Sequence, residues 1–254
     1  YFISLLGIFF FSVKRDTSLW TALIATLLIS SAPFLTYHAT DAYSDLPMGY
    51  YAFAGVITFW RYIKTGSKNL LFLSGVFIGI GMFTKNEGIF FAAAILISLG
   101  IFIFLEKRSN KISTLYFLTP VFIIIGPWIL LKSIYNIEYG HGITQRFVGI
   151  DFTLQAIREF LNVLFLEANF NIIFAFLFIT TVLNIKTLFK EDIKYLFIIT
   201  IFAALMFFSV YIMSLQEYNE SLVQRMAVNR NILTYLPIAY FFASIAGFRL
   251  WSKI

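Results

Sequence analysis

Nine apolar runs, at about 1–13, 19–36, 46–60, 70–84, 88–105, 112–131, 170–185, 195–213 and 231–248, take up most of this 254-residue chain. A membrane-crossing helix needs about 20 predominantly apolar residues, and most of these runs approach that length. Composition agrees: 60% of the residues are hydrophobic and 13% charged, against about 45–50% and about 25% in soluble domains. The fold expected is an all-α polytopic membrane protein with about nine transmembrane segments, residues 1–254 forming a single transmembrane domain. The third and fourth runs are short for a full crossing, and the first is shorter still. The chain opens at Tyr1 inside an apolar run with no Met and no basic leader, so the expectation is a fragment that lacks N-terminal helices and a first outer loop.

Composition also excludes several functions. With no cysteine there is no disulfide framework, thiolate nucleophile or Cys-based metal site. The formal charge of +6 is spread over short clusters between apolar runs instead of along a soluble face, so no nucleic-acid partner is expected. If loops alternate sides, 13 of the 19 Lys and Arg fall on one side, in clusters such as Lys14 and Arg15, Arg61 to Lys68, and Lys107 to Lys111. The positive-inside rule makes that side cytoplasmic. The other side receives Lys85, Lys132, Arg146, Arg158, Arg225 and Arg230, with 9 of the 13 acidic residues and both histidines. The titratable chemistry is therefore expected on the extracytoplasmic face of a plasma (inner) membrane.

Four polar islands lie on that side. Thr36 to Leu46, closed by Pro47, holds His38, Asp41 and Asp45. Carboxylates between membrane helices are costly and mark functional sites. Four residues apart, Asp41 and Asp45 share a face if the stretch is helical, and there they suit a divalent cation or a shared proton. Asp45 ahead of Leu46 and Pro47 also reads as a helix cap, Asp41 as a solvated loop charge, and His38 as an interfacial or hydrogen-bonded histidine in preference to a metal ligand. Thr84-Lys85-Asn86-Glu87-Gly88 is a tight turn between apolar runs, where Lys85 needs a partner and Asp41 and Asp45 are the nearest by topology; a plain surface turn is its other reading. Between Lys132 and Asn169, His141 stands between two glycines, as a substrate loop or a simple turn. Phe152 to Glu167 then carries Ile157, Phe160, Leu161, Leu164 and Phe165 at helical spacing, an amphipathic helix expected along the interface. Last, Gln216 to Asn231 holds Glu217, Glu220, Arg225 and Arg230. An arginine fork suits a phosphate, whether of a substrate or of a lipid headgroup.

Taken in order, Tyr43-Ser44-Asp45-Leu46-Pro47, Thr84-Lys85-Asn86-Glu87-Gly88 after the small residues Gly75, Gly79 and Gly81, and Arg230-Asn-Ile-Leu-Thr-Tyr-Leu-Pro237 resemble the multi-spanning C-type glycosyltransferases. The nearest branch is the bacterial relatives of dolichyl-phosphate-mannose protein mannosyltransferases and undecaprenyl-phosphate-aminoarabinose transferases. The resemblance runs from about Trp20 to Leu250. It implies transfer of a sugar from a polyprenyl-phosphate carrier to a lipid, glycan or protein acceptor. An essential acidic residue is implied in a first outer loop that would precede Tyr1. Asp45 then matches the acidic position of the second outer loop, Lys85 the basic residue after the next hairpin, and Arg230 the basic residue before the late helix. Asp45 and Asp41 are the candidate catalytic residues and the candidate ligands of a divalent cation, the one cofactor expected. Lys85, Glu87, Arg230 and His141 are the candidate substrate contacts. A transporter or flippase for a lipid-linked or anionic substrate is the alternative, and a non-catalytic scaffold a third. Against transport, the charges gather on one face instead of at the midplane, and no matched pair of broken helices stands out.

Overall fold

The computed structural model of the chain describes residues 1–106, 112–137, 150–190, 192–214 and 221–252, with the side chains of 150–156, 209–214 and 221–227 excepted. Every regular element among them is helical. In chain order they are α1 (Phe2–Asp16), α2 (Leu19–Ser30), α3 (Pro33–Thr40), α4 (Asp45–Thr65), α5 (Lys68–Thr84), α6 (Gly88–Glu106), α7 (Ile112–Ile134), α8 (Ile150–Phe165), a short 3-10 turn (Ala168–Phe170), α9 (Ile173–Asn184), α10 (Ile193–Ser214) and α11 (Ser221–Trp251).

Local chemistry sets the breaks between them. The Ser18 hydroxyl accepts from the Thr21 N–H at 3.1 Å and starts α2. Pro33 cannot donate a backbone N–H and stands at the head of α3, so the run expected as one segment over 19–36 bends by 67° between α2 and α3. Gly66 closes α4 in the left-handed region, at φ 72°, where a side chain would be strained.

The expected nine crossings are corrected by these boundaries. Among the described residues three helices are long and apolar enough to cross a membrane, Gly88–Glu106, Ile112–Ile134 and Val228–Trp251, or four if the bent α2–α3 pair counts as one span. Hydropathy counts apolar residues, but α2 and α9 have 12 residues each and α5 has 17, so apolar runs of similar look end as helices too short to span. The chain is an integral membrane protein all the same, since the qualifying helices carry long apolar stretches with almost no charge. The amphipathic segment expected over 152–167 is helix α8, which buries Val163 against the bundle.

At the centre stands α11, whose spanning window is 83% buried against 22% for α7. Residues 232–246 of α11 are buried on every side. Phe9 of α1 stacks on Tyr240 at 5.7 Å and meets Phe53 of α4 at 5.6 Å, while Phe53 meets Phe241 edge-on at 5.7 Å. These rings lock three helices together.

Lipid is as apolar as leucine, so helix association in a membrane depends on close backbone approach and interhelical hydrogen bonds. Helix α5 uses both. A Cβ on Gly75 would sit 2.2 Å from the Phe117 carbonyl oxygen of α7. On the other side of α5, the Ser74 hydroxyl donates to the Gly55 carbonyl of α4 at 2.8 Å. Asn184 of α9 likewise donates to the Ala246 carbonyl of α11 at 3.2 Å.

The end of the bundle opposite Asp45 is tied by charge. Asp16, 6% exposed at its side chain, accepts from Trp60 Nε1 at 2.8 Å and pairs with Lys64 at 2.6 Å and Arg61 at 3.3 Å. Asp192 takes Arg249 at 2.9 Å. Among the described residues Arg61, Lys64 and Arg249 therefore gather at one end of α4 and Asp45 stands at the other, about 30 Å away at 1.5 Å per residue.

Two stability outcomes follow from this packing. Gly75→Ala is expected to destabilise the detergent-solubilised protein by about 1–3 kcal/mol, the usual cost of overpacking. Gly100→Ala, where nothing lies within 4 Å of the new methyl, is expected to leave the melting temperature unchanged or raise it. Asp16→Asn, which removes the carboxylate shared by Arg61 and Lys64 and leaves Lys64, among the described residues, only Asp192 at 3.9 Å, is expected to cost toward the lower end of about 3–5 kcal/mol. Equal melting temperatures for wild type and Asp16→Asn in a thermal denaturation series would show the charge network to be inert.

Candidate functional site

The opening island is built at a helix break. Helix α3 ends at Thr40, Asp41 is extended at φ −96° and ψ 149°, and α4 starts at Asp45. Asp41 and Asp45 are therefore not on one helical face, as a continuous helix would have put them. Asp45 does not cap α4 either, since no side-chain hydrogen bond closes that end. Its carboxylate, 0% exposed, is taken up by two cations from distant parts of the chain. Lys85 Nζ lies 2.8 Å from Oδ1 and Arg230 Nε 2.8 Å from Oδ2.

Each cation is held by its own element. Lys85 ends α5, and the turn after it returns at once, with Gly88 N–H donating to the Lys85 carbonyl at 3.0 Å. Gly88 is required there, because a Cβ would meet the Met82 backbone at 2.6 Å. Glu87 pairs with the same ammonium at 3.0 Å. Arg230 does not belong to a loop, as the polar stretch 216–231 suggested, because α11 begins at Ser221 and carries it inside the helix. Its guanidinium lies 4.9 Å above the Tyr43 ring, a cation–π contact that orients it.

Burial alone would push the Asp45 carboxyl up, but Lys85 and then Arg230, through charge and hydrogen bonds, hold it below the ordinary carboxylate range. Asp45 is ionised at neutral pH and a poor proton acceptor. Exposure of the side chains rises outward from it, with 16% for Lys85, 27% for Glu87 and 35% for Arg230. The carboxylate is the floor of the site and the cations are its open edge.

Asp41 stands beside this group with Oδ2 buried and unpartnered. His38, read from the sequence as interfacial or hydrogen-bonded, is buried at 2% exposure, its ring 4.5 Å from Phe34 and 5.4 Å from Tyr43. His141, Glu217 and Glu220 lie outside the described residues, as does the side chain of Arg225. Among the described residues no three His, Asp or Glu are grouped to hold a metal ion. Both Asp45 oxygens are engaged in ion pairs.

The sequence reading passed over four neighbours. Tyr43 was only part of a motif. Asn229, 6% exposed and next to Arg230, joins Asn169 and Glu167 in a hydrogen-bonded group, with Asn169 Nδ2 2.9 Å from Glu167 Oε2 and 3.2 Å from Asn229 Oδ1. The signal was present in Asn229-Arg230-Asn231, three polar residues in a row on the way into an apolar helix.

One apolar cavity of about 180 Å³ lies between α8, α9, α10 and α11, lined by Phe160, Leu164, Phe174, Phe207, Val228, Asn231 and Tyr235 among others. Val228, Asn231, Ile232 and Tyr235 present one face of α11 to this slot, while Arg230 stands on another face of the same helix, toward Asp45. A larger cavity, about 640 Å³, lies at the opposite end between α4, α5, α6 and α10. Its Glu106 and Asp192 are each bound to cations, Lys194 at 3.2 Å and Arg249 at 2.9 Å.

No curated protein and no solved structure matches this chain. The sequence model of the dolichyl-phosphate-mannose-protein mannosyltransferase family matches residues 1–130, which include His38, Asp41, Asp45, Lys85 and Glu87 but stop short of Arg230. With just over half of its 254 residues in that match, the chain belongs to the dolichyl-phosphate-mannose-protein mannosyltransferase family, and with it to the membrane glycosyltransferases.

Proposed function

We propose that this protein moves a sugar from a polyprenyl-phosphate carrier to a hydroxyl of a lipid, glycan or protein acceptor, on the extracytoplasmic face of a plasma membrane. The observation that carries the reading is the fully buried Asp45 holding Lys85 and Arg230, which come from two other helices, at 2.8 Å each. Cations fixed in place before a substrate arrives stabilise charge that develops during reaction at no further reorganisation cost.

In this mechanism the acceptor oxygen attacks the anomeric carbon as the bond from that carbon to the phosphate oxygen breaks. The electron pair stays on the phosphate, where Lys85 and Arg230 neutralise it, and the acceptor proton leaves to a base. A single displacement inverts the anomeric centre and needs no enzyme nucleophile. Asp45, locked by two cations, is a positioning residue for the clamp and not the base. Glu87 holds Lys85 from the outside. Asp41, with a carboxylate oxygen unpartnered, faces the sugar side, and His141 is kept as a candidate contact of the outer loop. Asp41 and Asp45 are kept as the candidate ligands of a divalent cation, and the steps above are carried by the chain's own residues.

Replacement of Lys85 or Arg230 by Gln is expected to weaken binding of polyprenyl-phosphate sugar at least tenfold each, about 1.4 kcal/mol or more, in protein reconstituted into nanodiscs. Unchanged affinity in both variants would remove the phosphate contact. Asp45→Asn is expected to lower turnover at saturating donor by roughly 100-fold or more, the scale seen when a charge-stabilising group is lost, while the protein still inserts and folds. Normal turnover in that variant falsifies the clamp.

A further inference from the structure

Building on the transferase reading, we propose that His38 and Asp41 form a subsite that reads the hydroxyls of the donor's sugar next to the phosphate clamp. His38 Nδ1 and Asp41 Oδ2 are both shut off from solvent, and neither atom has a hydrogen-bond partner among the described residues, although the Asp41 carboxylate as a whole interacts with the Tyr37 hydroxyl. An unpaired buried polar atom costs about 1–3 kcal/mol, and folded proteins carry few of them without a reason. Two in one wall, three positions apart in sequence, mark a place that the chain does not complete by itself.

The surroundings identify what completes it. With the imidazole proton on Nε2, Nδ1 is an acceptor, and Asp41 Oδ2 is an acceptor as well. The missing partner therefore brings donors, as ring hydroxyls do. The rings of Tyr37 and Tyr43 flank His38 at 5.6 and 5.4 Å, and both tyrosines are substantially exposed, at 59% and 46%. Aromatic faces beside hydrogen-bond acceptors suit a sugar, which presents C–H groups on its faces and hydroxyls at its edge.

Tyr43 also fixes the distance from the clamp. One ring contacts both His38, at 5.4 Å, and the guanidinium of Arg230, at 4.9 Å. A sugar bonded directly to a phosphate on Arg230 reaches the His38 wall without moving its carrier. His38 thus acts on specificity, and the clamp on the leaving group. Sites built to hydrogen-bond a substrate hydroxyl reject analogues that lack it far more strongly than apolar pockets reject a missing methylene, because their own polar groups are left unpaired.

The test separates sugar from phosphate. The full chain in nanodiscs is titrated with polyprenyl phosphate, and then with a panel of polyprenyl-phosphate hexoses and pentoses to find the sugar that wild type prefers. His38→Phe and Asp41→Ala are each expected to weaken the preferred sugar-bearing lipid about tenfold and to leave polyprenyl phosphate within about twofold. His38→Asn, which returns a polar group near the position of Nδ1, is expected to restore most of the loss. Should the Phe variant fail to fold, wild type is titrated with deoxy forms of the preferred donor, of which at least one must bind about tenfold more weakly. Equal losses on both lipids, no loss on either, or a wild type that gains nothing from any sugar overturns the subsite and leaves the clamp standing. A wild type that binds no polyprenyl phosphate at all overturns the transferase reading, and the subsite falls with it.

Discussion

A carboxylate with no access to water must find its counter-charge inside the protein, and at Asp45 that requirement joins three regions of the chain. Lys85 arrives from the end of α5 and Arg230 from ten residues inside α11, so the ion pairs exist only if the two hairpins of 45–106 and the long helix 221–251 pack as they do. Removing a buried charge from its partners costs more than the pair contributes over an apolar replacement. The arrangement is thus a poor way to stabilise a fold and a good way to fix two cations at an open edge. The stability of the bundle comes from elsewhere, chiefly the aromatic contacts around α11 and the glycine contacts of α5.

Helix α5 connects those two roles. Its glycines let α7 approach until backbone meets backbone, and its end delivers Lys85. The position of Gly88 against the Met82 backbone makes the turn after Lys85 as tight as a chain allows. Small residues that look like packing details in the middle of α5 therefore determine where an ammonium group sits two or three turns later.

Much of this was legible in the sequence, and the failures have physical causes. The pairing of Lys85 with an island aspartate could be read because both stand in short polar interruptions on one side of the alternating charge pattern. Whether Asp45 was a cap or an ion-pair partner could not, since both uses want an acid ahead of Leu46 and Pro47 and the choice was made by Arg230, 185 residues away. Arg230 was placed in a loop because 216–231 is polar, but Asn229 gains partners in Asn169 and Glu167 that pay for burying that polarity in a helix. The count of nine crossings failed for a related reason. Apolar runs show where water is avoided, not whether lipid or protein replaces it, nor where a residue such as Pro33 breaks the backbone.

The bend between α2 and α3 has its own chemistry. A 67° turn inside an apolar stretch exposes backbone groups that a straight helix would have paired, and here side chains take them up: the Thr36 hydroxyl donates to the Ser30 carbonyl at 3.0 Å, and the Ser31 hydroxyl, which accepts from Asn171 Nδ2 at 3.1 Å, donates to the Leu28 carbonyl at 3.1 Å. Such a joint is held by a few hydrogen bonds instead of a continuous helical ladder. Helix α3 carries His38 and leads into Asp41, while Asp45 begins the next helix. The helix that carries His38 and the helix that begins at Asp45 hence hang from separate supports, and in the proposed subsite a change in the sugar would be met at the joint without disturbing the charges beneath it.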